Sequence, residues 1–170
     1  KVGIRADAPN QLWHIDVTVI RLLDGTKAYL HAVIDNFSRR ILAWSLEERL
    51  GAGGTCRILL EAGRHLGTHP VETIVLSDSG MENVNRNVDA LLDAEGLRRV
   101  LAQVEVSFSN SMIEAFWRSL RHAWLYLHIL DNMATLRRLI AFYVRAHNET
   151  IPHAAFNGQT PDEMYFGTGD

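Results

Sequence analysis

Between Leu12 and Leu22 the chain alternates, with Trp13, Ile15, Val17 and Val19 on one side and His14, Asp16 and Thr18 on the other. A period of two is the mark of a half-buried strand, because successive side chains of a strand point to opposite faces. Asp24-Gly25 follows, a dipeptide that tolerates the positive φ of a tight hairpin. Ala28 to Asp35 then reads as a second strand, Asn36 to Arg40 as a turn, and Ile41 to Leu46 as a third strand. Short strands joined by short turns run antiparallel, so the first fifty residues are committed to a meander.

Beyond Gly51 to Gly54 the period changes. Thr55 is the expected N-cap of a helix carrying Ile58, Leu59, Ala62 and Leu66, ended by Gly67 and Pro70. Residues 72–77 are short and apolar, as a central strand would be. A helix is expected over Val84 to Glu95, stopped by Gly96, and a fifth strand around Val100 to Val104. Two helices, about 110–127 and 132–148, and a short helical turn near Pro161 to Phe166 close the chain. Strands alternating with helices after a meander make an α/β protein with a mixed sheet. Residues 1–10, with Pro9-Asn10, read as a tether, and 11–170 as one domain, which a chain of 170 residues can fill.

Composition narrows the function. A net charge of −3 argues against a protein that coats nucleic acid through bulk positive charge. It leaves room for carboxylates that bind cations. The single cysteine, Cys56, excludes an internal disulfide and a His/Cys zinc module, and fits a reducing cytoplasm. No apolar run is long enough to span a bilayer, and no signal-peptide pattern is present. Only Lys1 and Lys27 are lysines; arginines gather at 118, 121, 137, 138 and 145, either as a phosphate-binding set or as a solvated helical face.

Three acids stand out. Asp is depleted in strands, so Asp16 in mid-strand needs a reason beyond facing water. Asp78 follows the apolar run Ile74 to Ser77, at the carboxyl end of a buried strand where α/β active sites gather; it also fits a turn aspartate before Gly80. Glu114 opens a helix whose apolar stripe is Ile113, Phe116, Trp117, Leu120, Trp124 and Leu127. It also fits the last position of an S-x-x-E capping box begun by Ser111. Arg118 and Arg121 follow Glu114 at i+4 and i+7, on one face of that helix. Carboxylates converging from separate rigid elements are what Mg²⁺, a hard ion, requires.

Two strand-borne aspartates and a helix-borne glutamate, the last two separated by 35 residues, resemble the carboxylate triad of the DDE transposases and retroviral-type integrases. Longer stretches carry the same resemblance to the integrase core of bacterial insertion-sequence transposases. They are Asn10 to Thr18, Val33 to Arg39, Leu76 to Gly80, Ser109 to Arg121, and His147 to His153 followed by Gly158 to Pro161. The resemblance implies a ribonuclease-H-like fold with a five-stranded mixed sheet, an antiparallel meander plus parallel strands, flanked by helices. It implies metal-dependent cleavage of transposon ends and strand transfer into target DNA. Asp16, Asp78 and Glu114 would be the catalytic residues and the ligands of two Mg²⁺ or Mn²⁺ ions. Arg118, Arg121, His14 and Asn110 would contact DNA, Arg121 standing where the family commonly has lysine. His14 also fits an ordinary half-buried strand position. Asp35, beside Arg39, reads as a structural turn residue paired with that arginine. A homo-oligomer is expected, with Trp117, Trp124, Tyr126 and Phe142 offering apolar surface on the late helices. The rival readings are a nuclease of the same fold that only hydrolyses, an inactive remnant serving as a DNA-binding or interaction module, and an α/β domain whose acids are turn, cap and surface residues.

Overall fold

A computed structural model describes residues 5–66, 73–77, 86–94, 97–101 and 111–169. The meander forms as expected. Strand β1 (Leu12–Arg21) pairs antiparallel with β2 (Lys27–Asp35), and β2 with β3 (Ile41–Glu47). At the hairpin between β1 and β2, Gly25 takes φ 87° and the Asp24 carboxylate accepts the Thr26 N–H at 2.8 Å. Strand β4 (Thr73–Ser77) lies parallel to β1 on its other side, pairing Leu12 with Ile74, Trp13 with Val75 and His14 with Leu76. Strand β1 is therefore central, in the order β3-β2-β1-β4. Leu97–Leu101 (β5) pairs in parallel along the outer edge of β4; residues 102–104 of the strand expected around Val100–Val104 lie outside the described residues.

Helices cover both faces. Trp13, Ile15 and Val33 pack with Ile58, Leu59 and Ala62 of α1 (Ala52–Gly63) and with Val88 and Leu92 of α2 (Arg86–Ala94). Ile20, Ala28, Leu30, Ala32 and Ile34 face the other way. They meet Ile113, Phe116, Trp117 and Leu120 of α3 (Ser111–Ala123) and Leu136, Ile140 and Tyr143 of α4 (Met133–Glu149). Strand β1 is buried on both faces over Leu12–Ile15 and half-buried beyond, where Thr18 is 7% and Val19 41% exposed; the side expected to be polar and wet is the buried one, under α3 at Asp16 and Thr18. The clusters are apolar and contiguous, and burial of such surface is the main force holding the layers together.

Several boundaries move for local reasons. Thr55 is not an N-cap: α1 starts at Ala52, and Thr55 is fully buried within it, its hydroxyl 3.4 Å from His31 Nδ1 on β2. Gly54 permits that approach, since a Cβ there would sit 2.5 Å from His31 Nε2. Helix α3 ends at Ala123, and a short 3-10 turn, Leu125–Leu127, replaces the last helical turn expected. Asn132 caps α4 by accepting the Thr135 N–H at 2.9 Å. The last helix, α5 (Pro161–Phe166), has a complete capping box between Thr160 and Glu163, with proline in its first turn.

Within the stretch expected as a tether, Ala6 and Asn10 are bonded to the domain. Ala6 is buried and its N–H donates to Asn36 Oδ1 at 2.8 Å. The Asn10 side chain donates to the Tyr165 hydroxyl of α5, also at 2.8 Å. Arg40, before β3, pairs with Asp162 at 2.6 Å and lies over the rings of Tyr165 and Phe166, so α5 is clamped against the start of the sheet.

Candidate active site

Asp16 occupies the middle of β1, half-buried, on the face toward α3. Its Oδ2 accepts the indole N–H of Trp117 at 2.9 Å, across 101 residues of sequence. Trp117 is 5% exposed and packed in the core cluster of that face, so the donor is held by the fold itself. One turn further along α3, Arg121 Nη2 donates to Thr18 Oγ1 and, at 3.1 Å, to the Val19 carbonyl. These contacts put helix and strand in step. From Trp117 to Arg121 the helix rises about 6 Å at 1.5 Å per residue, and from Asp16 to Thr18 the strand advances about 6.6 Å. The two elements thus run in the same direction side by side. Glu114 lies three residues before Trp117, about 4.5 Å back along the axis and on the same flank. It is exposed, as is Arg118. Glu114 thus lies on the helix that Trp117 and Arg121 tie to β1.

Helix α3 is described from Ser111 onward, with Glu114 in its first described turn. Asp78 and Asn110 lie outside the described residues. Ser77, to which Asp78 is bonded, ends β4 one strand away from β1, with its hydroxyl buried and lacking a hydrogen-bond partner among the described residues. Among the described residues no group of three His, Cys, Asp or Glu side chains is placed to hold a metal ion. Asp16 and Glu114 supply only carboxylate oxygens, a donor set that suits Mg²⁺ or Mn²⁺ rather than zinc.

His14 is not at the surface. The Asn36 amide lies 2.8 Å from its Nε2, and the Asn36 backbone N–H donates to the Leu12 carbonyl at 2.9 Å. The histidine thereby ties β1 to the turn after β2. Asp35 is structural, with partners other than the Arg39 side chain. It is fully buried, and its carboxylate accepts the N–H of Asn10 and both the N–H and hydroxyl of Ser38, at 2.7–2.8 Å. Burial nevertheless pushes its carboxyl above the ordinary range, outweighing those bonds. The Arg39 guanidinium lies 5.1 Å over the Phe156 ring. His147 of α4 contacts the Arg39 carbonyl at 2.8 Å, and burial lowers its pKa to about 4.

A cleft of about 370 Å³ opens between α3 and α4, lined among others by Ser111, Ala115, Ser119, Tyr143 and His147. It is the flank of α3 opposite Glu114, Trp117 and Arg121, so it does not belong to the carboxylate site. The residue that sequence reasoning missed is Trp117, read as core or as oligomer surface and found holding Asp16. The signal was its position three residues after Glu114 on the same helix.

Comparisons with known proteins agree with this architecture. One Integrase core domain profile matches residues 6–107 and a second matches residues 95–161. The Putative transposase InsK for insertion sequence element IS150 of Escherichia coli (strain K12) is 27% identical over 159 residues, which is 94% of this chain and 56% of the relative. The Insertion element IS407 uncharacterized 31.7 kDa protein of Burkholderia multivorans is 30% identical over 157 residues, 92% of this chain and 56% of the relative. The chain thus spans about half the length of the curated relatives it matches. Among solved structures, the simian T-cell lymphotropic virus intasome in complex with PP2A regulatory subunit B56 gamma aligns with a TM-score of 0.80 at 20% identity, covering 96% of this chain and 57% of that one. The HTLV-2 integrase catalytic core domain in complex with magnesium (dimeric form) aligns with a TM-score of 0.75 at 20% identity, covering 95% and 99%. At such identities the likeness is one of fold, the mixed α/β sheet flanked by helices of retroviral integrase cores. With one profile covering more than half of its residues and a second continuing toward the carboxyl end, the chain belongs to the Integrase core domain family.

Proposed function

We propose that this chain is the catalytic core of a DDE-type transposase that cuts DNA strands and joins them to new positions. Asp16, Asp78 and Glu114 are the catalytic acids and would be the residues that hold two Mg²⁺ or Mn²⁺ ions. The observation that carries the reading is the Trp117–Asp16 hydrogen bond, which ties α3, the helix that bears Glu114, to β1 at Asp16. Asp78 enters through its bond to Ser77 at the end of the strand next to β1, and the family resemblance supports it. We take β5 as the fifth strand of a ribonuclease-H-like sheet.

Bound divalent ions would supply Lewis-acid activation of the attacking oxygen and charge stabilisation of the leaving one. The chain's own residues position. Trp117 fixes the orientation of the Asp16 carboxylate, and Arg121, braced on Thr18, presents a cation on the DNA side of the site. In the first step water attacks a phosphorus at the transposon end; the P–O bond to the 3′ oxygen breaks and leaves a 3′-hydroxyl. In the second step that hydroxyl attacks a target phosphodiester, forming one P–O bond and breaking another. Strand transfer at two transposon ends asks for more than one catalytic core, so we propose a homo-oligomer acting on transposon and target DNA. Phe142, 51% exposed, is its candidate contact. No helix among the described residues is long and apolar enough to cross a membrane, and we place the work in the bacterial cytoplasm on DNA.

The test is nicking of supercoiled plasmid in Mg²⁺ or Mn²⁺, together with transfer of a labelled oligonucleotide 3′ end into that plasmid. Both activities are expected in the parent chain and absent in Asp16→Asn, Asp78→Asn and Glu114→Gln. Nicking without transfer supports the purely hydrolytic rival. Full activity in any of the three variants removes that residue from the mechanism.

A further inference from the structure

We propose that a groove at the carboxyl end of α3 holds a DNA strand by its phosphates, with an unpaired base against Tyr126. This rests on the strand-cutting reading and extends it to where the substrate runs after leaving the carboxylates. The groove, about 430 Å³, is bounded chiefly by Val19, Arg21, Lys27, Tyr29, Arg121 and Tyr126. Three of these are cations, and none of the groove's lining residues is acidic.

The pairing of two of those cations is the informative part. Arg21 and Lys27 stand directly opposite each other in the β1–β2 register. Like charges at directly opposed positions of an antiparallel pair repel and weaken it. No ion pair among the described residues relieves either one. Asp24, the nearest carboxylate in sequence, is occupied within its own turn by Thr26. A chain with net charge −3 has acids to place, yet this hairpin base carries a concentrated positive charge with no ion pair among the described residues. A bound polyanion removes the repulsion, and phosphodiester oxygens are the anions that the family's substrate brings.

Arg121 connects the groove to the strand that carries Asp16. This third cation is braced on Thr18 and Val19. Thr18 shares the α3-facing side of β1 with Asp16, about 7 Å along the strand. Two tyrosines interleave with the cations. Tyr126 is 62% exposed and stands edge-on to His122, with ring centres 5.1 Å apart, which leaves a face for stacking. Basic groups tracking a backbone beside aromatic platforms are the recurring means of binding unpaired strands.

The test is fluorescence anisotropy of the whole chain with labelled single-stranded and duplex oligonucleotides, without divalent metal, over a range of salt concentrations. Arg21→Gln/Lys27→Gln is expected to reduce the slope of log K against log salt by about 1.8 on duplex and about 1.4 on single strands. The charge-conserving Arg21→Lys/Lys27→Arg should keep the parental slope. Because the glutamine variant loses a repulsive pair, it should melt no lower than the parent, which separates lost binding from lost folding. Tyr126→Ala should weaken single-strand binding roughly tenfold and duplex binding far less. An unchanged slope in the glutamine variant, or no DNA binding by the parent, overturns the groove. The two readings fail separately. Asp16→Asn should keep the full slope while abolishing cutting. A groove variant with an unchanged slope and intact nicking would remove the groove and leave the transposase reading standing. A parent that binds with the predicted slope but never cuts would do the reverse.

Discussion

Trp117→Phe isolates the contact on which the site depends. The substitution keeps an aromatic ring in the core and deletes the donor that holds Asp16 Oδ2 at 2.9 Å. Hydrogen bonds to charged groups contribute about 1.5–3 kcal/mol, and Asp16 is half-buried, which argues for the lower end. The smaller ring leaves a partial cavity, for about 1 kcal/mol more. A total near 2–3 kcal/mol lowers the melting temperature of a domain this size by about 5–10 °C. The effect on activity should be larger than folding can explain. A carboxylate displaced by about 1 Å costs on the order of 100-fold in rate, measured on fully folded protein well below the transition. Asp16→Asn is the complementary control, since its amide oxygen still accepts the indole N–H. It should lose all cutting while changing stability by less than about 1 kcal/mol. Plasmid nicking alongside urea unfolding gives both quantities. If Trp117→Phe loses stability as calculated but nicks at the parental rate, Trp117 merely fills the core and the alignment of α3 with Asp16 has no catalytic meaning.

Acid should unfold the chain early. Burial lowers His31 and His147 to about 4, against 6.5 in an unfolded chain. Between those values the unfolded state binds more protons, so stability falls as pH drops from about 6.5 toward 4, by up to about 3 kcal/mol for each histidine. Equal urea midpoints at pH 7 and pH 5 would contradict this. Gly54→Ala should destabilise by about 1–3 kcal/mol through its clash with His31, despite alanine's better helix propensity; a more stable variant would show that His31 can yield. Asp35→Ala strands the donors of Asn10 and Ser38 and should cost more than about 3 kcal/mol. Asp35→Asn should cost distinctly less, because it removes a buried charge and keeps an acceptor; comparable losses in thermal melts would refute the assignment.

The meander was legible because its signals are local: alternation in Trp13 to Val19 and a glycine turn at Gly25. The covering of β1 on both faces was not, since the polar residues His14 and Thr18 look like a wet face until α3 is known to lie over them. Thr55 misled for a related reason. Its residue type marks helix starts, but Gly51 to Gly54 let the helix begin earlier and press against His31. The acids at 16, 78 and 114 could be picked out by residue type and spacing. No periodicity, however, reveals that an indole a turn after Glu114 grips Asp16, because that bond joins elements a hundred residues apart. His14 makes the same point: its contact with the turn residue Asn36 is not written in the alternation that places it on β1.

The separation of Asp16 from Trp117 also sets a timetable. Contacts between distant segments form late in folding, after the entropy of closing a long loop has been overcome. A ribosome adding about 5–20 residues per second needs roughly 5–20 s to travel from the strand bearing Asp16 to the helix that completes its surroundings. Throughout that interval the emerging polypeptide carries the first acid without its brace and without Glu114. On the proposed reading, a copy of this domain cut short before α3 is harmless to the DNA around it, and cutting competence appears only once the chain has been synthesised past α3 and has folded.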